Sequence, residues 1–150
     1  MQVRIPEAQM ARLHAHLEAA YPDEGAGFLL GHLQGEAFLV GGILTLENRW
    51  QGSSQRNRFR LEPQDALQAE LAAARQGMDV IGVFHSHPDH PAQPSQWDLA
   101  WATWPNFAYL ITSVEQGQAR RTRAWRLRED RSAFEEDTLT LVNGTSRGGK

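Results

Sequence analysis

One stretch, residues 82–101, decides the fold and reads GVFHSHPDHPAQPSQWDLAW. It continues an apolar run typical of a buried strand, and that strand delivers His85 and His87. Because side chains alternate along a strand, the two imidazoles project from the same face. Three prolines follow, at positions 88, 91 and 94, and they predict an irregular loop.

The loop leads into Ser95-Gln96-Trp97-Asp98, where an apolar helix begins. The loop can bring Asp98 back to the histidines as a third, anionic ligand. Two imidazoles and one carboxylate leave a coordination position open, which is the arrangement of a catalytic zinc. Ser-x-x-acid is also the pattern of a helix capping box, and the two interpretations are compatible. His90, inside the loop, is an alternative ligand to His87.

Composition limits the class of protein. The chain has 150 residues, 41% hydrophobic and 22% charged, which predicts one globular domain. A formal charge of −3 gives no reason to expect nucleic acid as a partner. Since there are no cysteines, disulfides and thiol nucleophiles are excluded, and a metal must use histidine and carboxylate. No leader or membrane-spanning run is present, so we expect a cytoplasmic protein.

The apolar pattern around this stretch predicts alternating strands and helices. We expect a short edge strand at 2–5, a helix from Pro6, a β-hairpin within 24–46 and a second helix from Pro63 to a cap at Gly77. Inward residues of these helices are expected to be Met10, Leu13 and Leu17 in the first and Leu67, Leu71 and Ala74 in the second. Gly41-Gly42 is expected to mark a bulge or a close backbone approach.

The polar segment 48–57 predicts a mobile loop, followed by a strand at 58–61. The expected later strands are 107–114 and 118–128, and 134–142 is expected to form one more short element. The arginines of the second of these favour a solvated edge strand over a docking strip for an acidic partner. Trp97, Trp101 and Trp104 recur at helical spacing and are typical of core packing.

A second His-x-His, at His14 and His16, lies in the first predicted helix. Residues two apart on a helix point in nearly opposite directions, so these two cannot chelate one ion. We expect both to be solvated surface histidines.

The elements together predict an α/β sandwich on a mixed sheet. We expect a catalytic domain over residues 1–142 and a flexible tail over 143–150. Hydrolysis at a zinc site needs a carboxylate base near the metal. From the residues alone, the candidates are Asp23, Glu24, Glu47 and Asp79.

Two segments resemble the JAMM (MPN+) metalloprotease family. They are YPDEGAGFLLG at 21–31 and His85-Ser86-His87-Pro88 through Ser95-Gln96-Trp97-Asp98, and seven residues separate His87 from Ser95. The resemblance implies a cytidine-deaminase-like JAB1/MPN domain, with a curved mixed β-sheet flanked by helices. It implies His85, His87 and Asp98 as zinc ligands, Glu24 as general base, and Ser95 as the donor that stabilises the oxyanion.

The chain lacks the long insertions associated with members specific for ubiquitin chains, and is similar to compact prokaryotic forms. These imply a peptidase or isopeptidase that cuts after the C-terminal Gly-Gly of a ubiquitin-like or sulfur-carrier protein. A homodimer is left open. Ala26 stands where members often have a cysteine. The alternatives are a non-catalytic MPN-type scaffold and, with less support, a non-haem iron oxygenase using the same three ligands.

Overall fold

The computed structural model describes residues 1–47, 62–101 and 106–143, without the side chains of Trp97, Ala100 and Trp101. The predicted loop at 48–57, the strand at 58–61, the tryptophan stripe and nearly all of the tail therefore lie outside the described residues. The elements in chain order are β1 Gln2–Pro6, α1 Glu7–Ala20, β2 Ala26–Gln34, β3 Ala37–Leu46, α2 Pro63–Arg75, β4 Asp79–Pro88, α3 Gln96–Trp101, β5 Ala108–Glu115, β6 Gln118–Leu127 and β7 Phe134–Val142.

The strands form one mixed sheet in the order β1-β3-β2-β4-β5-β6-β7. β1 is parallel to both β3 and β7, and β4 is parallel to β5, while the remaining pairs are antiparallel. Because β1 pairs on both sides, the sheet closes on itself. The prediction that β1 and β6 are edge strands is therefore wrong: each has a neighbour on either side.

The arginines of β6 are matched by acidic residues of β7. Arg123 donates to both carboxylate oxygens of Glu136 at 2.7 and 2.8 Å, and Arg126 donates to Asp137 at 3.2 Å. Arg128 donates to Glu135 at 3.1 Å. The predicted edge strand is therefore wrong, because β7 lies beside β6 and its carboxylates pair with three of the five arginines. Arg120 and Arg121 are exposed, and the docking strip for an acidic partner stays a prediction.

Helix α1 packs on one side of the sheet and α2 on the other. Met10, Leu13 and Leu17 of α1 join a cluster with Leu29 and Phe84, as their spacing predicts. The helix ends where Tyr21 precedes a proline and turns to ψ 137°, which is out of the helical region.

The predicted inward face of α2 is wrong. Leu67 and Leu71 are 56% and 46% exposed, while Ala69 and Ala73 are buried against Phe28 and Val83. A stripe of alanines lets a helix approach the sheet more closely than leucines would, and packing then fixes its rotation. Asp65 belongs to the same buried stripe because it closes a capping box with Glu62. Gly77, at φ +70°, follows the helix end as predicted.

The β2–β3 hairpin forms as predicted, with its bulge at the glycine pair. Leu30 is opposite Gly42 and Gly31 is opposite Val40, so Gly41 is the extra residue. A Cβ on Gly31 would overlap the Leu39 carbonyl oxygen, which makes glycine necessary there.

The histidines of α1 are not solvated, contrary to the prediction. His14 Nε2 lies 2.8 Å from Thr122 Oγ1 of β6, and His16 Nε2 lies 3.1 and 3.0 Å from the carbonyl oxygens of Ala26 and Leu46. Both are half-buried because α1 lies flat on the sheet. Among the described residues, no helix is long and apolar enough to cross a membrane.

Candidate metal centre

Strand β4 places His85 and His87 on the face of the sheet that also carries α2. Ser86, between them, points to the opposite face and is fully buried. The Nε2 atoms of the two histidines lie 3.3 Å apart, and the ring planes are inclined by 54°. Because side chains alternate along the strand, the two imidazoles lie side by side on one face, as the sequence predicts.

Helix α3 brings Asp98 to the same point. The Ser95 N–H donates to Asp98 Oδ2 at 2.8 Å, and the Asp98 N–H donates to Ser95 Oγ at 3.1 Å, which completes the capping box. The carboxylate also reaches the histidines: Oδ1 lies 3.0 Å from His85 Nε2, and Oδ2 lies 3.0 Å from His87 Nε2. One side chain thus caps the helix and completes the cluster.

The three side chains fit a metal ion. Their candidate ligand atoms all lie within 4.8 Å of one another. Two atoms bound to a tetrahedral zinc at about 2.0–2.1 Å are about 3.3 Å apart, close to the separations found here. His87 Nδ1 donates to the Pro91 carbonyl at 2.8 Å, which leaves the Nε2 lone pair for an ion. His90 is exposed and lies outside this group.

Burial and hydrogen bonding within the cluster shift the pKa values of Asp98 and His87. Burial alone raises the pKa of Asp98, but hydrogen bonds from His85 and His87 outweigh it and hold that pKa far below its usual range. Burial alone lowers the pKa of His87, but the hydrogen bond and charge of Asp98 outweigh it, and the pKa lies above its ordinary value. A cation, whether a proton or a metal ion, is therefore favoured at this point.

Glu24 lies two residues before the start of β2 and is 7% exposed. Ala26 is opposite His85, and the Ser86 N–H donates to the Gly25 carbonyl at 3.0 Å, so the register continues past the end of the ladder. Glu24 then comes beside His87, and its charge contributes to the raised pKa of that histidine. A buried carboxylate next to the cluster suits a base.

The other carboxylates considered from the sequence are placed differently. Asp79 stands at the opposite end of β4, near His32, and its side chain is 79% exposed. Glu47 is exposed after β3, and Asp23 is half-buried. Ser95 is exposed at the cluster, with Oγ 3.1 Å from Asp98 Oδ2.

Sequence reasoning missed the side chains that anchor the histidine loop. Asp89, at φ +58°, accepts from the Tyr21 hydroxyl at 2.6 Å and from the Gln116 N–H at 2.9 Å. Trp125 Nε1 donates to the Ala92 carbonyl at 3.1 Å. These contacts fix the loop that offers the Pro91 carbonyl to His87. An aspartate after a proline is a turn signal, but its partners come from distant segments.

Comparison with known proteins now identifies the family. Residues 6–128 match the family model described as prokaryotic homologs of the JAB domain. The chain belongs to the prokaryotic JAB family. It is 30% identical over 111 residues to a probable TtuB-protein conjugate cleaving protease of Thermus thermophilus, covering 74% of this chain and 70% of that protein. It is 36% identical over 57 residues to a desampylase of Haloferax volcanii, covering 38% and 41% respectively.

Solved structures agree with this assignment. A protein of Desulfitobacterium hafniense solved in solution is 29% identical and superposes with a TM-score of 0.82, over 95% of this chain and 94% of that one. A JAB1/MPN domain protein from Archaeoglobus fulgidus is 20% identical, with a TM-score of 0.56 over 95% and 100% of the two chains, and shows the shared fold. The predicted JAB1/MPN fold, a mixed sheet flanked by helices, is confirmed.

Proposed function

We propose that this JAB-family chain is a zinc-dependent peptidase or isopeptidase that hydrolyses the amide bond after the C-terminal Gly-Gly of a ubiquitin-like or sulfur-carrier protein. The observation that carries the proposal is the convergence of His85, His87 and Asp98 beside the buried Glu24. The names of the two relatives, a conjugate cleaving protease and a desampylase, support an enzyme of this class.

The zinc would be held by His85 Nε2, His87 Nε2 and an oxygen of Asp98. When bound, zinc supplies Lewis acidity, which lowers the pKa of a water molecule to about 7. The donor set supports zinc because two imidazoles and one carboxylate leave a position open. The Pro91 carbonyl keeps His87 in the tautomer that binds through Nε2.

Glu24 would act as the general base. Its carboxylate would take the proton of the attacking water and pass it to the amine that leaves. Burial beside the cluster limits exchange of that proton with bulk water. Glu24 would be ionised when it takes the proton from water and protonated when it passes that proton to the leaving amine.

Ser95 would donate to the oxygen that gains negative charge as water adds to the scissile carbonyl. The Ser95 backbone N–H already donates to Asp98. The Ser95 hydroxyl also donates to Asp98, but it can rotate and donate to the substrate oxygen instead. Donors of this type are typically worth about 3–4 kcal/mol in the transition state.

The substrate class rests on two supports. The printed names of the relatives point to protein conjugates. The Gly-Gly tail and the sulfur-carrier class come from the motif's resemblance to compact prokaryotic JAMM proteases. A Gly-Gly tail suits a buried base because it brings no side chains to the reacting carbonyl.

Replacing Glu24 by glutamine tests the proposed role of the base. We expect Glu24→Gln to lower kcat by roughly a hundredfold to ten-thousandfold, because the amide cannot accept the water proton. Zinc affinity should stay within about twofold, since Glu24 is not a ligand in this account. The measurement is steady-state cleavage of a carrier-protein conjugate, paired with chelator competition for zinc.

Asp79→Asn is the matched control. It removes an exposed carboxylate at the end of β4 that lies away from the cluster, and it should leave kcat unchanged. Wild-type rates in Glu24→Gln with normal zinc binding would remove Glu24 from the mechanism.

A further inference from the structure

Ser86 lies between the two histidines but takes no part in the cluster. Its side chain points to the opposite face of β4 and has no exposed surface. The Ser86 Oγ accepts a hydrogen bond from the Gly25 N–H at 2.9 Å, and the Ser86 N–H donates to the Gly25 carbonyl at 3.0 Å. One residue therefore binds both polar groups of Gly25.

Gly25 is also held from the other side. A Cβ at this position would lie 2.8 Å from Leu17 Cδ2 and 3.0 Å from the Ala20 Cβ, so the backbone is pressed against α1. The residue has no room to move toward the helix, and Ser86 prevents it from moving away. The peptide that follows Glu24 is therefore fixed between α1 and β4.

We propose that Ser86 is a positioning residue, which holds the Gly25 peptide so that the Glu24 carboxylate stays beside His87. The hydroxyl is needed because Gly25 N–H lies where the β2–β4 ladder has ended: the last ladder pair is Ala26 with His85. A side-chain oxygen replaces the strand partner and extends the register by one residue toward the site.

The inference rests on the proposed role of Glu24 as base. A misplacement of about 1 Å in a catalytic group can cost on the order of a hundredfold in rate. The metal ligands do not depend on this bond, because the rings of His85 and His87 lie on the other face of the strand. Loss of the hydroxyl should therefore separate catalysis from metal binding.

The test compares Ser86→Ala with Ser86→Thr, which keeps a hydroxyl and favours the strand. For Ser86→Ala we expect kcat to fall roughly tenfold to a hundredfold, with KM and the zinc dissociation constant within about twofold of wild type. Hydrogen exchange of the Gly25 amide, followed by NMR, should accelerate by about tenfold or more as its acceptor is lost. Ser86→Thr should restore both values.

Thr112→Val is the matched control. Thr112 is opposite Ser86 on β5 and is equally buried, but its hydroxyl bonds to Thr122 instead of the Glu24 segment. This variant should leave kcat and Gly25 exchange unchanged. If Ser86→Ala does not fold, Ser86→Cys takes its place, because a thiol of similar size accepts hydrogen bonds poorly.

Two results would overturn the inference. One is a Ser86→Ala enzyme with wild-type kcat, and the other is a loss of zinc affinity in proportion to the loss of activity. If the wild-type protein cleaves no conjugate, the proposed function fails separately. Gly25 exchange and the NMR order parameter of the Glu24 amide then decide whether Ser86 holds this segment.

Discussion

At the scale of single residues, a proton and the proposed zinc ion would compete for His87. Without zinc, the raised pKa of His87 reflects a pair with the ionised Asp98. A histidine whose folded pKa is raised stabilises the fold fully below its unfolded pKa, and that contribution is lost as pH rises through the folded pKa. Zinc instead requires the neutral imidazole, so its binding is favoured as pH rises.

The stability of the zinc-free protein and the affinity for zinc are therefore expected to change in opposite directions with pH. As pH rises from the unfolded histidine pKa of about 6.5 through the raised pKa of His87, this pair should lose stabilising energy in zinc-free protein, and zinc affinity should rise. Denaturant unfolding of wild type and Asp98→Asn measures it, because their difference isolates the pair. Burial lowers the pKa of His14, so its contribution to stability changes with pH in the opposite direction. This contribution is the same in wild type and Asp98→Asn and is removed when the two are subtracted. Equal slopes in both proteins would contradict the account.

The sequence predicts the convergence of His85, His87 and Asp98 for a physical reason. A strand period of two places His85 and His87 together, and a capping box places Asp98 at the start of a helix, so both are local properties. The partner of Ser86 and the anchors of the histidine loop are not local. Gly25 and Trp125 lie far away in the chain, and the pairing of β4 with β2 and with β5, which carries β6, brings them to this site.

At the scale of elements, α2 shows why residue size alone misplaces a helix face. Its leucines are half-exposed, and its alanines meet the sheet. Apolar periodicity identifies the helix and its ends, because Pro63 and Gly77 are local signals. It does not give the rotation, which depends on how closely the sheet allows the helix to approach.

The effect of substitutions on α2 on the free energy of unfolding should depend on which face of the helix they alter. Ala73→Leu is expected to lower the free energy of unfolding by about 1–3 kcal/mol, because a larger side chain overpacks the contact with the sheet. Leu71→Ala should change it by less than about 0.5 kcal/mol. Urea unfolding of both variants measures this. A larger loss from Leu71→Ala than from Ala73→Leu would mean that the leucine face is buried.

At the scale of the whole molecule, β7 closes the sheet by pairing with both β1 and β6. Asp137 of β7 is buried, with 2% of its side chain exposed, and it pairs with Arg126 and lies 3.7 Å from the N-terminal amine. The apolar pattern predicts most of the strands but not the closure of the sheet. Closure depends on the pairing of β1 with β7, which lie far apart in the sequence.

Breaking the ion pair at this closure should destabilise the protein. Asp137→Ala is expected to cost roughly 1–3 kcal/mol in unfolding free energy, because the part-buried Arg126 loses its hydrogen-bonded partner and keeps only Glu135 at 3.5 Å. Glu136→Ala, one residue away, removes a more exposed partner of Arg123 and should cost less than about 1 kcal/mol. Thermal or denaturant unfolding of the two variants distinguishes them, and equal costs would contradict the assigned role of Asp137.

The metal cluster and Glu24 are proposed to act together on a substrate that ends in Gly-Gly. The most direct measurement is mass spectrometry of a sulfur-carrier protein, extended by one amino acid beyond its Gly-Gly, after incubation with zinc-loaded protein. The account predicts a product that ends at Gly-Gly, lost after chelation and with Glu24→Gln, and restored when zinc is added back to the wild type. An uncut substrate with fully zinc-loaded wild type, or equal cutting in the chelated sample, would contradict it.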